Sequence, residues 1–186
     1  KKARNYPSSA NHAFRAVSKM FNWCVERDLL TSSPCQGLSL PGPLVKRDRV
    51  LSEYELIKIW NTAKEISYPY GNIIQLLMLT GQRRGEVSSM RWEDLKYEEG
   101  IWVIPADLNK SARQHIVPLN EGVEKIISSL PKIDDTWLFP ARGSGRPVSG
   151  FSKWKKKLDI LSDTSEWTVH DIRRTVATGM AKLKIQ

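Results

Sequence analysis

The stretch Ile73-Ile74-Gln75-Leu76-Leu77-Met78-Leu79-Thr80-Gly81 constrains this chain more than any other. It is apolar on nearly every face, so a helix made from it belongs inside a core and not on a surface. Thr80-Gly81 closes it, and glycine adopts the left-handed cap conformation without a Cβ penalty. A helix over about 70 to 80, capped by Gly81, is therefore the expected centre of the fold. The next segment, Gln82-Arg83-Arg84-Gly85-Glu86-Val87, is then held at the end of a rigid, buried rod.

The other elements are built around it. Residues 8 to 29 place Phe14, Val17, Phe21, Cys24 and Val25 at helical spacing, with Arg15, Lys19 and Arg27 elsewhere on the surface. Thr31 to Pro43 contains three prolines and two glycines and reads as a linker or extended crossing. It leads into Lys46-Arg47-Asp48-Arg49, which is either a solvated loop or a strap over DNA phosphates. Ser52-Glu53-Tyr54-Glu55 is a capping box opening a second helix. A short helix is expected from Arg84 to Met90. Ile101 to Pro105 and His115 to Leu119 are β-type runs around a polar turn, a hairpin with Lys110 and Arg113 near its tip. A third strand is placed at Asp94 to Tyr97, and a helix at 120 to 130 before Pro131. Ala141 to Lys157 carries Arg142, Arg146 and four lysines, Lys153 among them, without an acid. Its second half has a helical stripe of Phe151, Trp154 and Leu158. Thr168-Val169-His170-Asp171 is another capping box, starting a helix towards 182. The fold class is mainly α with a small antiparallel β-sheet (α+β).

Composition narrows the partners. The chain has 186 residues, 40% hydrophobic, which is enough for one good core. A net charge of +9 favours a polyanion, nucleic acid before anionic membrane. No apolar run approaches the roughly 20 residues that span a bilayer, and no signal peptide opens the chain. Cys24 and Cys35 do not make a disulfide framework, and His12, His115 and His170 lie far apart. A site without metal or cofactor, in a reducing cytoplasm, is expected.

Two arginine-bearing segments carry the chemistry. A guanidinium stays charged and binds phosphate oxygens bidentately. Arg83 comes just after the glycine turn at the end of the buried helix. Glu86, three residues on, shares its face and is placed to pin its guanidinium. Arg84, next along the same helix, should point elsewhere. In the second segment, His170 and Arg173 are three apart and share a helix face. His170 sits in a first turn, where the helix dipole favours a bound anion, and a histidine passes protons near neutral pH. Lys110 on the hairpin either protonates a leaving oxygen or neutralises a phosphate; Arg113 and His115 compete for either role.

Together, Thr80-Gly81-Gln82-Arg83-Arg84-Gly85-Glu86-Val87, the hairpin with Lys110 before His115-Ile116-Val117-Pro118-Leu119, and His170-Asp171-Ile172-Arg173-Arg174-Thr175 resemble the tyrosine recombinases, in particular phage and prophage integrases. The resemblance covers nearly the whole chain. It implies an integrase-type catalytic domain over 51–186, a basic linker over 31–50, and the last helix of a truncated core-binding domain over 1–30. It implies that Arg83 and Arg173 clamp the scissile phosphate, that Lys110 is the general acid for the 5′-oxygen, and that His170 assists proton transfer. A tyrosine would attack and form a 3′-phosphotyrosyl link, with no metal or nucleotide. The implied partners are double-stranded DNA attachment sites, a homo-tetramer on that DNA and accessory DNA-bending proteins, with no membrane and a nucleoid location. Lys46, Arg47, Arg49, Arg84, Arg113, Arg142, Arg146 and Lys153 are the expected DNA contacts.

One feature departs from the family. All five tyrosines, Tyr6, Tyr54, Tyr68, Tyr70 and Tyr97, precede the second arginine segment, whereas the family's nucleophile lies beyond it. The chain is accordingly expected to be a fragment that binds DNA without cutting it. A type IB topoisomerase and a non-catalytic DNA-binding protein on the same fold are the alternatives.

Overall fold

The computed structural model describes residues 6–44, 47–108, 113–143 and 145–185. The chain forms two compact units, Lys1–Arg47 and Asp48–Gln186.

In the first unit, helix α1 spans Pro7–Val25, with proline in its first turn, where a missing N–H costs nothing. It ends before the expected 29 because Asp28 takes a left-handed φ of 55°. Asn11 is 3% exposed. Its amide accepts from Gly42 N–H (2.9 Å) and donates to Gly42 O (3.0 Å), tying the helix to the Pro/Gly segment. The expected apolar stripe is only half-covered: Phe14, Phe21, Cys24 and Val25 are half-buried, while Val17 is exposed.

The second unit is built on the apolar rod. Helix α2 (Glu53–Ile66) starts at Ser52, whose Oγ accepts from Glu55 N–H while Glu55 Oε2 accepts from Ser52 N–H. Burial pushes the Glu55 carboxyl up, but the Ser52 hydrogen bonds and Arg49 outweigh it and hold it below its ordinary value. Helix α3 (Tyr70–Thr80) packs on α2. A Cβ on Gly71 would lie 2.0 Å from Ala63 O, so glycine is what lets the two backbones touch. Helix α4 (Arg84–Ser88) comes next, then strands β1 (Leu95–Lys96), β2 (Ile101–Ile104) and β3 (His115–Pro118), all antiparallel in the order β1-β2-β3. Helix α5 (Glu121–Ser128) is capped by Asn120, whose Oδ1 accepts from Val123 N–H at 3.0 Å. Helix α6 (Phe151–Ser162) packs on α2, and helix α7 (Val169–Lys182) on α3. Mainly helical with a small three-stranded sheet, the fold matches the expectation from sequence. The core is continuous, with Ile59, Ile73, Leu76, Leu77, Val87, Trp102, Phe139 and Ile172 nearly inaccessible. Asp94 is buried beside it, and Asp94 Oδ2 has no hydrogen-bond partner among the described residues. Burial pushes its carboxyl up, Glu93 and Asp107 add to this, and Arg91 and Lys96 oppose it.

Candidate active site

Gly81 ends α3 in the left-handed conformation (φ 63°, ψ 15°), its N–H bonded to Leu77 O at 2.9 Å. The chain then runs extended through Arg83 (φ −73°, ψ 146°), the N-cap of α4. Glu86, 3% exposed, accepts Arg83 N–H on Oε2 (2.7 Å) and Arg83 Nη1 on Oε1 (2.5 Å). One buried carboxylate thus fixes both the backbone and the guanidinium of Arg83, with charge-assisted bonds that offset its desolvation. The Arg83 side chain stays 40% exposed.

Helix α7 supplies the second group. Asp171 is fully buried at its start. Its Oδ2 accepts from Thr168 N–H (2.8 Å) and Oγ–H (3.0 Å), and its Oδ1 pairs with Arg174 Nη1 (2.6 Å). The expected capping box between Thr168 and Asp171 is made, and Asp171 N–H also bonds the Thr168 carbonyl (2.9 Å). His170 and Arg173, one turn apart, leave this face for another. Arg173 Nη1 donates to Gly81 O at 2.6 Å and lies 3.4 Å from Gln82 Oε1. The cap of the apolar helix is therefore the seat of the second arginine, and the two distant segments meet at one turn.

Around that turn is a concavity of about 470 Å³, lined by Gln82 to Gly85, Phe151, Ser152, Lys155, Trp167 to His170 and Arg173. Arg83, Arg173 and His170 all face it. Arg84 does too, contrary to the expectation that it points elsewhere. Arg83 precedes the helix in extended backbone, so helical rotation does not separate the neighbours, and Arg84 Cζ lies 4.8 Å from the centre of the Phe151 ring.

Lys155 and Trp167 line the site, and sequence reasoning did not single them out. The acid-free window ended at Lys157 and hid Asp159, which is four residues from Lys155 and takes its ammonium at 2.5 and 2.7 Å. That i,i+4 spacing was the available signal. Lys153, Arg142 and Arg146 are exposed but are not among the lining residues, nor are Arg113 and His115, both exposed. Arg47 is exposed in the first unit. Arg49 is spent locally, pairing with Glu55 and donating to Val50 O at 3.0 Å. Lys46 and Lys110 lie outside the described residues. Among the described residues, no group of three His, Cys, Asp or Glu side chains is placed to hold a metal ion. No helix there is long and apolar enough to cross a membrane.

Two arginine segments far apart in sequence thus converge on one basic hollow, in a helical domain with a three-stranded sheet. Residues 49–186 match the phage integrase family, and the chain belongs to that family of tyrosine recombinases. It is 27% identical over 185 residues to the prophage integrase IntZ of Escherichia coli K12, covering 97% of this chain and 46% of that protein. It is 24% identical to prophage integrase IntF of the same organism, covering 94% of this chain and 40% of the relative. The chain thus spans less than half the length of these curated relatives. In fold it resembles a lambda integrase(75–356) dimer bound to a COC' core site, with a TM-score of 0.74 at 19% identity over 97% of this chain and 69% of that one. It also resembles the Tn1549 transposon integrase in complex with circular intermediate DNA (TM-score 0.65, 18% identity, 95% of this chain and 67% of that one).

Proposed function

We propose that the unit Asp48–Gln186 grips a phosphodiester of duplex DNA for site-specific strand cleavage and rejoining through a 3′-phosphotyrosyl intermediate. The observation that carries this reading is the seating of Arg173 on the carbonyl of Gly81, the residue that launches the Arg83 segment. Phosphoryl transfer gathers negative charge on the non-bridging oxygens. Preorganised guanidiniums stabilise it without reorganising, each good donor contributing roughly 3 kcal/mol. Arg83 is held by Glu86 and Arg173 by Gly81 before any ligand arrives. His170, exposed and lining the same hollow, is proposed to move a proton to or from the phosphate oxygens. Lys110, which falls between β2 and β3 in the sequence, is proposed as the acid for the leaving 5′-oxygen.

Among the described residues, no tyrosine lines the hollow: Tyr70 Oη donates to Ser149 O and Tyr68 Oη to Leu138 O. Cleavage is therefore assigned to a tyrosine other than these. The lambda integrase structures include a dimer on a core site and a tetramer on a Holliday junction. By analogy, this protein is proposed to act as a homo-oligomer on duplex attachment sites, with DNA-bending proteins as accessories.

Fluorescence anisotropy with a labelled duplex, measured across salt concentrations, tests the grip. Arg83→Ala and Arg173→Ala should each lower the slope of log affinity against log salt by about one phosphate contact. Unchanged slopes in both variants defeat the phosphate reading. A nicked suicide duplex should give no covalent adduct with this chain, and an adduct would show that one of its own tyrosines attacks.

A further inference from the structure

We infer that Lys155 is a positioning residue of this site, holding the first turn of the helix that bears His170 and Arg173. The inference rests on the phosphate-gripping reading above. Lys155 lines the hollow, yet its side chain is only 15% exposed. Its ammonium is held from two sides. Both oxygens of Asp159 take it from one turn along α6, and Nζ lies 3.8 Å from the centre of the Trp167 ring. A lysine neutralised this closely and laid on an aromatic face adds little net field to the hollow; its effect is to fix the ring.

Trp167 is the residue before the cap of α7. It is 4% exposed, and its Nε1–H donates to Thr164 Oγ1 at 3.1 Å. Thr164 is itself bound to Ser162 Oγ (2.6 Å), and its N–H to Asp159 O (3.1 Å). The end of α6 is thus a hydrogen-bonded hook that closes on Trp167, with the Lys155 ammonium as the clasp on the ring. Three residues beyond the ring comes His170, and six beyond comes Arg173. Loosening the clasp frees the first turn of α7 to rotate and misplaces both groups, while the core beneath, anchored by Ile172 and Asp171, remains.

The test compares Lys155→Met, Lys155→Arg and the double variant Lys155→Met/Asp159→Asn in duplex binding across salt concentrations, well below each protein's melting temperature. The double variant covers the case in which an unpaired Asp159 prevents folding. Positioning predicts ~fivefold weaker binding for Lys155→Met and for the double variant, with an unchanged salt slope. It also predicts recovery in Lys155→Arg, whose fork both pairs with a carboxylate and stacks on indole. A slope reduced by about one contact makes Lys155 a direct phosphate ligand and overturns the inference. So does full affinity in a folded Lys155→Met protein, or failure of arginine to rescue. Arg83→Ala and Arg173→Ala run alongside separate the two ideas: if both of these leave the slope unchanged, the phosphate reading has failed and not the role of Lys155.

Discussion

Replacing Gly81 by alanine should damage stability and site geometry together. The backbone there has φ +63°, where a Cβ costs about 1–2 kcal/mol. The new Cβ would also lie 2.8 Å from Val176 Cγ1 and 3.3 Å from Val176 Cβ. Valine is stiff at χ1, so α7 must shift, a strain of about 1–3 kcal/mol. The sum is about 2–5 kcal/mol. For a unit of this size that lowers the melting temperature by roughly 6–15 °C. Thermal unfolding of Gly81→Ala, Val176→Ala and the double variant apportions the two contributions. With Val176 trimmed, Gly81→Ala should cost little beyond its conformational share, a coupling of about 1–3 kcal/mol. Duplex affinity should fall as well, because Arg173 hangs from the carbonyl of the displaced residue. Equal costs in both backgrounds would refute the packing of α7 on this turn, and a total cost under about 0.5 kcal/mol would refute the left-handed cap too.

Two further outcomes are expected. Glu86→Ala removes two charge-assisted hydrogen bonds from a buried carboxylate, and with Arg83 able to rehydrate through its exposed side the loss should be about 2–3 kcal/mol in denaturant unfolding. Glu86→Gln, which keeps an acceptor, should lose less. Asp94→Asn should act in a pH-dependent way. Because the fold raises the Asp94 carboxyl, its contribution is fully present below the ordinary carboxylate range and is lost as pH rises through its elevated native value. Asn should therefore stabilise relative to the parent at neutral pH and lose that advantage in acid, as read from urea midpoints at the two conditions.

Much of this architecture was legible because local rules and burial agreed. Ser52 with Glu55, the apolar run ending at Gly81 and the alternating runs around the hairpin each carry their own start or stop signal. Glu86 was legible for the same reason: its bond to Arg83 is local, three residues apart. The features that escaped depend on contacts between segments. Arg84 was assigned by helical rotation to the wrong direction because the position of the helix start decides its direction. Trp167 looks like any core aromatic until the end of α6 is folded back on it. The stack of Tyr70 on Trp154 (4.4 Å between ring centres) joins residues that no periodicity links. The seat of Arg173 on a backbone carbonyl leaves no side-chain trace at all at its acceptor, Gly81.

That backbone seat has an evolutionary corollary. Since one guanidinium leans on the main chain of the turn that presents the other, neither segment can drift alone: a changed turn at Gly81 is inherited by both. Transplanting the 80–87 stretch into another scaffold would carry only half of its use unless the helix bearing His170 and Arg173 travelled with it.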